Sequence, residues 1–182
     1  MIETAHDLYK PLKSNIMKKK IIEQVLCDTT RDVSYDEYLD YCELNEEEPQ
    51  GEESNDFYEF RAKAQNWEWD DFMEQLPYMY YTDWPWLITG SIGRWNGRYD
   101  VYPTMEKSLE DAIRSCIGRD TMDVKIKREG HTIIVIGHHH DGTNYFELHA
   151  LTDKGAERFE RHGEVSLSNR ENVQKLPKEL WR

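Results

Sequence analysis

The stretch TIIVIGHHHDGTNYFELHAL, residues 132–151, is where a fold can first be argued from this sequence. Thr132 to Ile136 is continuously β-branched and Tyr145 to Leu151 alternates apolar with polar, so Asp141 to Asn144 reads as the turn of a β-hairpin. Side chains alternate along a strand. A four-residue turn therefore puts Ile133, Val135, His139, Phe146, Leu148 and Ala150 on one face and Ile134, Ile136, His138, His140, Tyr145, Glu147 and His149 on the other.

Outward from this hairpin the same period of two recurs. WPWLITGSIG (84–93) and Tyr99 to Tyr102 read as strands joined at Asn96 and Gly97, which sets Trp95 opposite Arg98 and Arg94 opposite Tyr99. Ser108 followed by Asp111 caps a helix in which Leu109, Ala112, Ile113, Cys116 and Ile117 recur at helical spacing until Gly118 stops it. Val124 to Arg128, a turn at Glu129 and Gly130, and Thr132 to His140 supply strands before the hairpin returns. Thr152 caps a last helix that ends at Gly163, and Leu167 to Arg182 follows as a docked tail. The order β-β-α-β-β-β-α predicts an α+β unit over residues 81–182: an antiparallel sheet of about five strands with a helix on one face.

Residues 1–80 read differently, as an acidic helical lobe. A first helix is expected from about Ser14 to Leu26, with Ile16, Ile21, Ile22, Val25 and Leu26 on its apolar side. Ser34 and Glu37 form a capping box before Tyr35, Tyr38, Leu39 and Cys42, a stripe at helical spacing. On the other side of that helix Asp36, Asp40, Glu43 and Glu47 make a row of carboxylates with Cβ atoms ~5–6 Å apart, comparable to a run of backbone phosphates. NEEEPQGEESN (45–55) has no apolar residue and reads as an exposed acidic linker. A further helix from about Asp56 to Leu76 is apolar on two sides, with Phe57, Phe60, Ala64 and Trp67 on one stripe and Tyr58, Ala62, Trp69, Phe72 and Leu76 on the other.

Charge is concentrated in one segment. Between Asp28 and Glu74 seventeen carboxylates face three bases, Arg31, Arg61 and Lys63, so this segment carries -14 while the whole chain carries -13. A field of that sign repels nucleic-acid backbones and attracts basic protein surfaces, which argues against direct nucleic-acid binding by the lobe. No window approaches the ~20 apolar residues of a membrane span and no secretory leader is evident, so the expectation is a cytoplasmic protein. The three cysteines, Cys27, Cys42 and Cys116, lack CxxC spacing and leave an odd one in any pairing; they are expected to be buried thiols.

Two constellations could carry chemistry. In the four-residue register His138 faces Glu147, with His140 and His149 nearby, and three imidazoles with a carboxylate could form a Zn2+ site with an open position for hydrolysis. No HExxH or zinc-deaminase pattern accompanies them, and the plainer expectation is polar residues at a sheet end, with no metal or other cofactor and no catalytic residue. The run GSIGRWNGR (90–98) is glycine-rich with two arginines but opens onto a hairpin, not a helix, so it lacks the usual phosphate-binding terminus. Its Arg94, Trp95 and Arg98 make a basic aromatic tip, with Arg98 placed to stack on Trp95.

The motifs WLITGSIGRWNGR (86–98) and HHHDGTNYFELH (138–149), separated by a helix ending CIGRD, resemble a family of uncharacterised proteins of phages, plasmids and conjugative elements of Gram-positive bacteria. The resemblance covers about residues 84–151, and no functional residues come with it. It implies a mobile-element setting, in which small acidic proteins include anti-CRISPR and anti-restriction inhibitors, some of them imitating DNA. Together with the charge, it leads to the expectation of a non-enzymatic inhibitor of a host nucleic-acid-binding defence enzyme, a Cas9-type CRISPR nuclease foremost. Asp36, Asp40, Glu43, Glu47, Trp67, Trp69, Arg94, Trp95 and Arg98 are its expected contact residues, carboxylates steering and aromatics supplying contact energy. The competing class is a small metal-dependent hydrolase or nuclease using His138, His140, Glu147 and His149.

Overall fold

A computed structural model describes residues 23–118, 121–139 and 141–182. The elements in chain order are β1 (Glu23–Asp28), α1 (Tyr35–Asn45), α2 (Asn55–Gln75) with a 3-10 turn at Leu76–Tyr78, β2 (Trp86–Arg94), β3 (Gly97–Asp100), β4 (Thr104–Glu106), α3 (Leu109–Cys116), β5 (Met122–Glu129), β6 (Thr132–His139), β7 (Gly142–Ala150) and α4 (Asp153–His162). Every strand pairing is antiparallel, in the order β1-β5-β6-β7-β2-β3, with β4 also on β2. This is an α+β fold.

The sheet is wider than the five strands expected. Of the seven strands described, β4 has only three residues, and β1 occupies part of a segment expected to be helical. Residues 14–22 of that expected helix lie outside the described residues. Its end is a strand: Val25 pairs with Lys127, and a bulge before Cys27 sets Cys27 against Ile126 on the core side. An edge strand covered on one side only carries few enough apolar residues to mimic a helical stripe.

The central hairpin is tighter than a four-residue turn allows. His139 pairs with Gly142, so only residues 140 and 141 connect the strands, and His138 lies opposite Thr143 while Glu147 lies opposite Ile134. The displacement is even in residues. Each side chain thus keeps its expected face, and Ile133, Val135, Phe146, Leu148 and Ala150 are all buried. At the β2–β3 turn Arg94 pairs with Gly97, which leaves Trp95 and Asn96 as the loop. Gly97 follows at φ +147°, a conformation L side chains rarely adopt.

One main core lies on one face of the sheet. Trp69, Phe72, Met73 and Leu76 of α2 and its turn, with Leu109, Ala112, Ile113 and Cys116 of α3, pack on Val124, Ile126, Ile133, Val135, Phe146 and Leu148. Hence the boundary expected at residue 80 runs through this core. Only the first half of α2 belongs to a separate cluster, where Phe57, Phe60 and Ala64 meet Val33, Tyr38 and Cys42. On the sheet's other face α4 and residues 165–167 cover Leu87 and Leu151 through Ala156, Phe159, Val165 and Leu167. All three cysteines are free and buried, and burial pushes the thiols of Cys27 and Cys116 up to about 11 and about 12. No described helix is long and apolar enough to cross a membrane.

The tail docks as expected. Leu176 and Leu180 enter the main core, and the Tyr80 amide donates to the Leu180 carbonyl at 2.8 Å. Since α2 and β1 contribute to the same core as α3, a fragment starting at Met79 should lose the partners of Ile113, Val124 and Ile126. We expect circular dichroism under guanidinium to show a cooperative transition for the full chain and none for Met79–Arg182. A fragment as stable as the full chain would mean that its core closes without α2.

Candidate functional site

The acidic surface is built on a short helix whose packing is aromatic. Ser34 opens α1, its Oγ accepting the Glu37 amide at 3.2 Å, and Glu46 closes it with φ 57°. Tyr38 and Cys42 face α2, with the Tyr38 ring 5.5 Å from Phe57 and 5.4 Å from Phe60, and Tyr41 5.0 Å from Phe60. The acidic connector is tied down as well. The Tyr35 hydroxyl donates to the Gln50 carbonyl at 2.6 Å, and the Gln50 amide donates to the Tyr38 hydroxyl at 3.2 Å.

This packing turns Asp36, Asp40 and Glu43 to solvent. Glu47 lies just beyond the helix, where it lines a cleft of about 350 Å³ together with Glu48, Asp56, Glu59 and Lys63. The segment's bases are spent elsewhere: Arg31 binds Glu37 and Glu68, Arg61 approaches Asp32 at 3.9 Å, and Lys63 donates to the Tyr41 hydroxyl at 3.2 Å. Arg31 holds the Glu37 carboxyl below its usual range. Among the described residues Asp36, Asp40, Glu43 and Glu47 form no ion pair.

The aromatic contact residues divide. Trp67 is 50% exposed, whereas Trp69 is 8% exposed within the main core, beneath Arg114 at 5.7 Å; Trp69 is therefore a packing residue and no contact anchor. Leu44, 85% exposed on α1, is an apolar neighbour of the carboxylate row that the helical stripe did not single out.

The hairpin tip is rearranged too. Arg94 approaches Asp141 at 3.4 Å and donates to Asn144 Oδ1 at 3.1 Å. Arg98 does not stack on Trp95; it donates from Nε to the Ser91 hydroxyl at 2.5 Å, and Trp95 projects alone, 85% exposed. The close glycine contact between Gly142 and the Gly93 carbonyl, which a Cβ would meet at 2.2 Å, sets the two hairpins side by side. That juxtaposition is what brings Arg94 to Asp141, a pairing invisible in either motif alone.

Of the candidate metal ligands among the described residues, only Glu147 and His149 come together. His149 Nε2 lies 3.4 Å from Glu147 Oε2 and 3.4 Å from the Thr89 hydroxyl. His138 is turned to the Thr143 hydroxyl at 3.0 Å, because the tighter register moves it away from Glu147, and His140 lies outside the described residues. Among the described residues no group of three His, Cys, Asp or Glu side chains could hold a metal ion. Nor does His149 link a hydroxyl to a carboxylate through opposite ring nitrogens, as a nucleophile relay requires, since both contacts use Nε2.

Burial lowers the His149 pKa from its ordinary 6.5, while the Glu147 carboxylate works in the opposite direction. A lowered value favours the neutral ring in the folded state. The stability this contributes is present above the ordinary value of 6.5 and is lost as pH falls through the lower folded value. NMR titration should place His149 below 6.5, and lower still in Glu147→Gln; an upward move in that variant would contradict the assigned causes. For the tryptophans, Trp69→Ala should cost ~3–5 kcal/mol by denaturant unfolding and Trp67→Ala less than ~0.5 kcal/mol. Equal losses would place both in the core.

Comparison of the chain with family models, curated proteins and solved structures found no match.

Proposed function

We propose that the protein is a non-enzymatic binding protein whose acidic lobe occupies the basic nucleic-acid channel of a host defence nuclease of the Cas9 type. The observation that carries this reading is the uncompensated row Asp36, Asp40 and Glu43 on one exposed face of α1, continued by Glu47 and its neighbours. A guide–target duplex is held in such a channel through backbone charge and not through sequence, so a surface with charge at comparable spacing can compete for it. Acidic side chains whose Cβ atoms recur at ~5–6 Å meet that requirement. Leu44 supplies exposed apolar area on the same helix, and Trp67 is exposed on α2, both suited to short-range contact. The resemblance of the two hairpin motifs to proteins of mobile elements supports a defence enzyme as the target class.

The test is a cleavage assay over several CRISPR nucleases, with wild type and the charge-reversed variant D36K/D40K/E43K, each checked for folding by circular dichroism. Inhibition by wild type should weaken steeply between 0.1 and 0.5 M salt, since the screening length shortens from ~10 Å at 0.1 M. Guide RNA should compete. The triple variant should associate on the order of tenfold more slowly or worse. If no nuclease is inhibited, or if charge reversal leaves inhibition unchanged, the mimicry reading fails.

A further inference from the structure

A second surface, in the half of the chain outside the acidic segment, has the opposite character. Between β6–β7 and the segment 167–175 lies a cleft of about 770 Å³ lined by His131, Thr132, His149, Arg170, Gln174 and Lys175, with Leu167 and Val173 as its apolar wall. Among the described residues no carboxylate lines it. The volume falls in the ~300–1,000 Å³ range of small-molecule sites.

We infer that this cleft binds a small phosphomonoester with a hydroxyl- or N–H-bearing body, such as a nucleotide. Its walls are fixed in advance. The Gln174 amide donates to the Ala150 carbonyl at 2.9 Å and Thr152 N to the Asn172 carbonyl at 3.0 Å. Buried Asn172 in turn donates to the Ser166 carbonyl at 2.9 Å, holding the loop that carries Leu167 and Arg170. On the floor Thr132 is the cross-strand neighbour of His149, whose side chain is 11% exposed.

At the rim Arg170 and Lys175 form no ion pair among the described residues, so both cations are available to a phosphate. The competing basic cleft, at Arg94 and Arg98, has one guanidinium already committed to Asp141 and Asn144. The floor asks for something else. With the proton on Nε2, where the Thr89 hydroxyl and the Glu147 carboxylate each lie at 3.4 Å, a neutral His149 presents Nδ1 as an acceptor, which repels a phosphate oxygen and takes a hydroxyl or ring N–H. Anion at the rim, donor at the floor and apolar wall between them together define the class.

The experiment titrates the full chain with inorganic phosphate, adenosine monophosphate and a short single-stranded oligonucleotide, followed by calorimetry and by amide shifts in NMR. Adenosine monophosphate should bind about tenfold or more tightly than phosphate. Arg170→Ala with Lys175→Ala, both exposed positions, should weaken both, whereas Arg94→Ala should weaken neither. His149→Leu should remove the advantage of the nucleotide and leave phosphate binding in place. Shifts spread over the surface, nucleotide affinity unchanged in the Arg170/Lys175 variant, or no binding at all would overturn the site. Tighter binding of the oligonucleotide than of the mononucleotide would replace it with a nucleic-acid track.

Discussion

Gln65 joins the parts of this molecule. It is 1% exposed near the middle of α2, and its carboxamide donates to the Arg31 carbonyl at 2.9 Å and to Asp123 Oδ1 at 3.1 Å while accepting the Asp123 amide at 2.8 Å. Three separate pieces of chain meet there: the connector after β1, the long helix, and the start of β5, where Asp123 has φ 50° and the ladder to β6 shifts register. Losing the side chain would leave buried backbone groups unpaired at ~1–3 kcal/mol each. Because α2 carries the lobe's aromatic cluster at one end and main-core residues at the other, this contact also fixes where the acidic face stands relative to the sheet.

A second buried polar group anchors the other end of the chain. Arg128, 0% exposed, donates to the carbonyls of Gly130, Leu176, Pro177 and Lys178, with distances from 2.6 to 3.3 Å. Burial pulls its pKa down, yet the guanidinium keeps its charge at any ordinary pH. Carbonyl dipoles take the place of a carboxylate partner. The residues so anchored continue directly from Val173, Gln174 and Lys175, so the same contact that closes the main core also holds one wall of the basic cleft.

Much of the fold was legible because it rests on local rules. The caps at Ser34, Ser108 and Thr152 are present, and strand parity survived an error in turn length because the displacement was even. What failed depended on distant partners. Ile21, Ile22, Val25 and Leu26 fit a helical stripe as well as a strand, and only pairing with β5 decides for the strand in its described part. Trp67 and Trp69 looked equivalent until α3 and the sheet covered one of them. The carboxylate row was legible as charge and spacing on one helix, whereas the basic cleft was not, since residues from 131 to 175 meet there only through the fold.

The acidic row itself works against the helix that carries it. Like charges at helical i,i+4 spacing, as in Asp36 and Asp40, cost roughly 0.2–0.5 kcal/mol per pair. Glu43 stands in the last turn, where no base offsets the negative end of the helix dipole. Isolated helices of α1's eleven residues are marginal even without such repulsion. The helix must therefore draw its stability from Tyr38 and Cys42 against Phe57, Phe60 and Ala64, from the Ser34 cap, and from the tether through Gln50. A lobe selected only to fold would gain by replacing some of these carboxylates with neutral or basic residues on the same solvent face. Charge thus stands where it lowers stability, on a helix whose position against the sheet is set through α2 by the hydrogen bonds of Gln65.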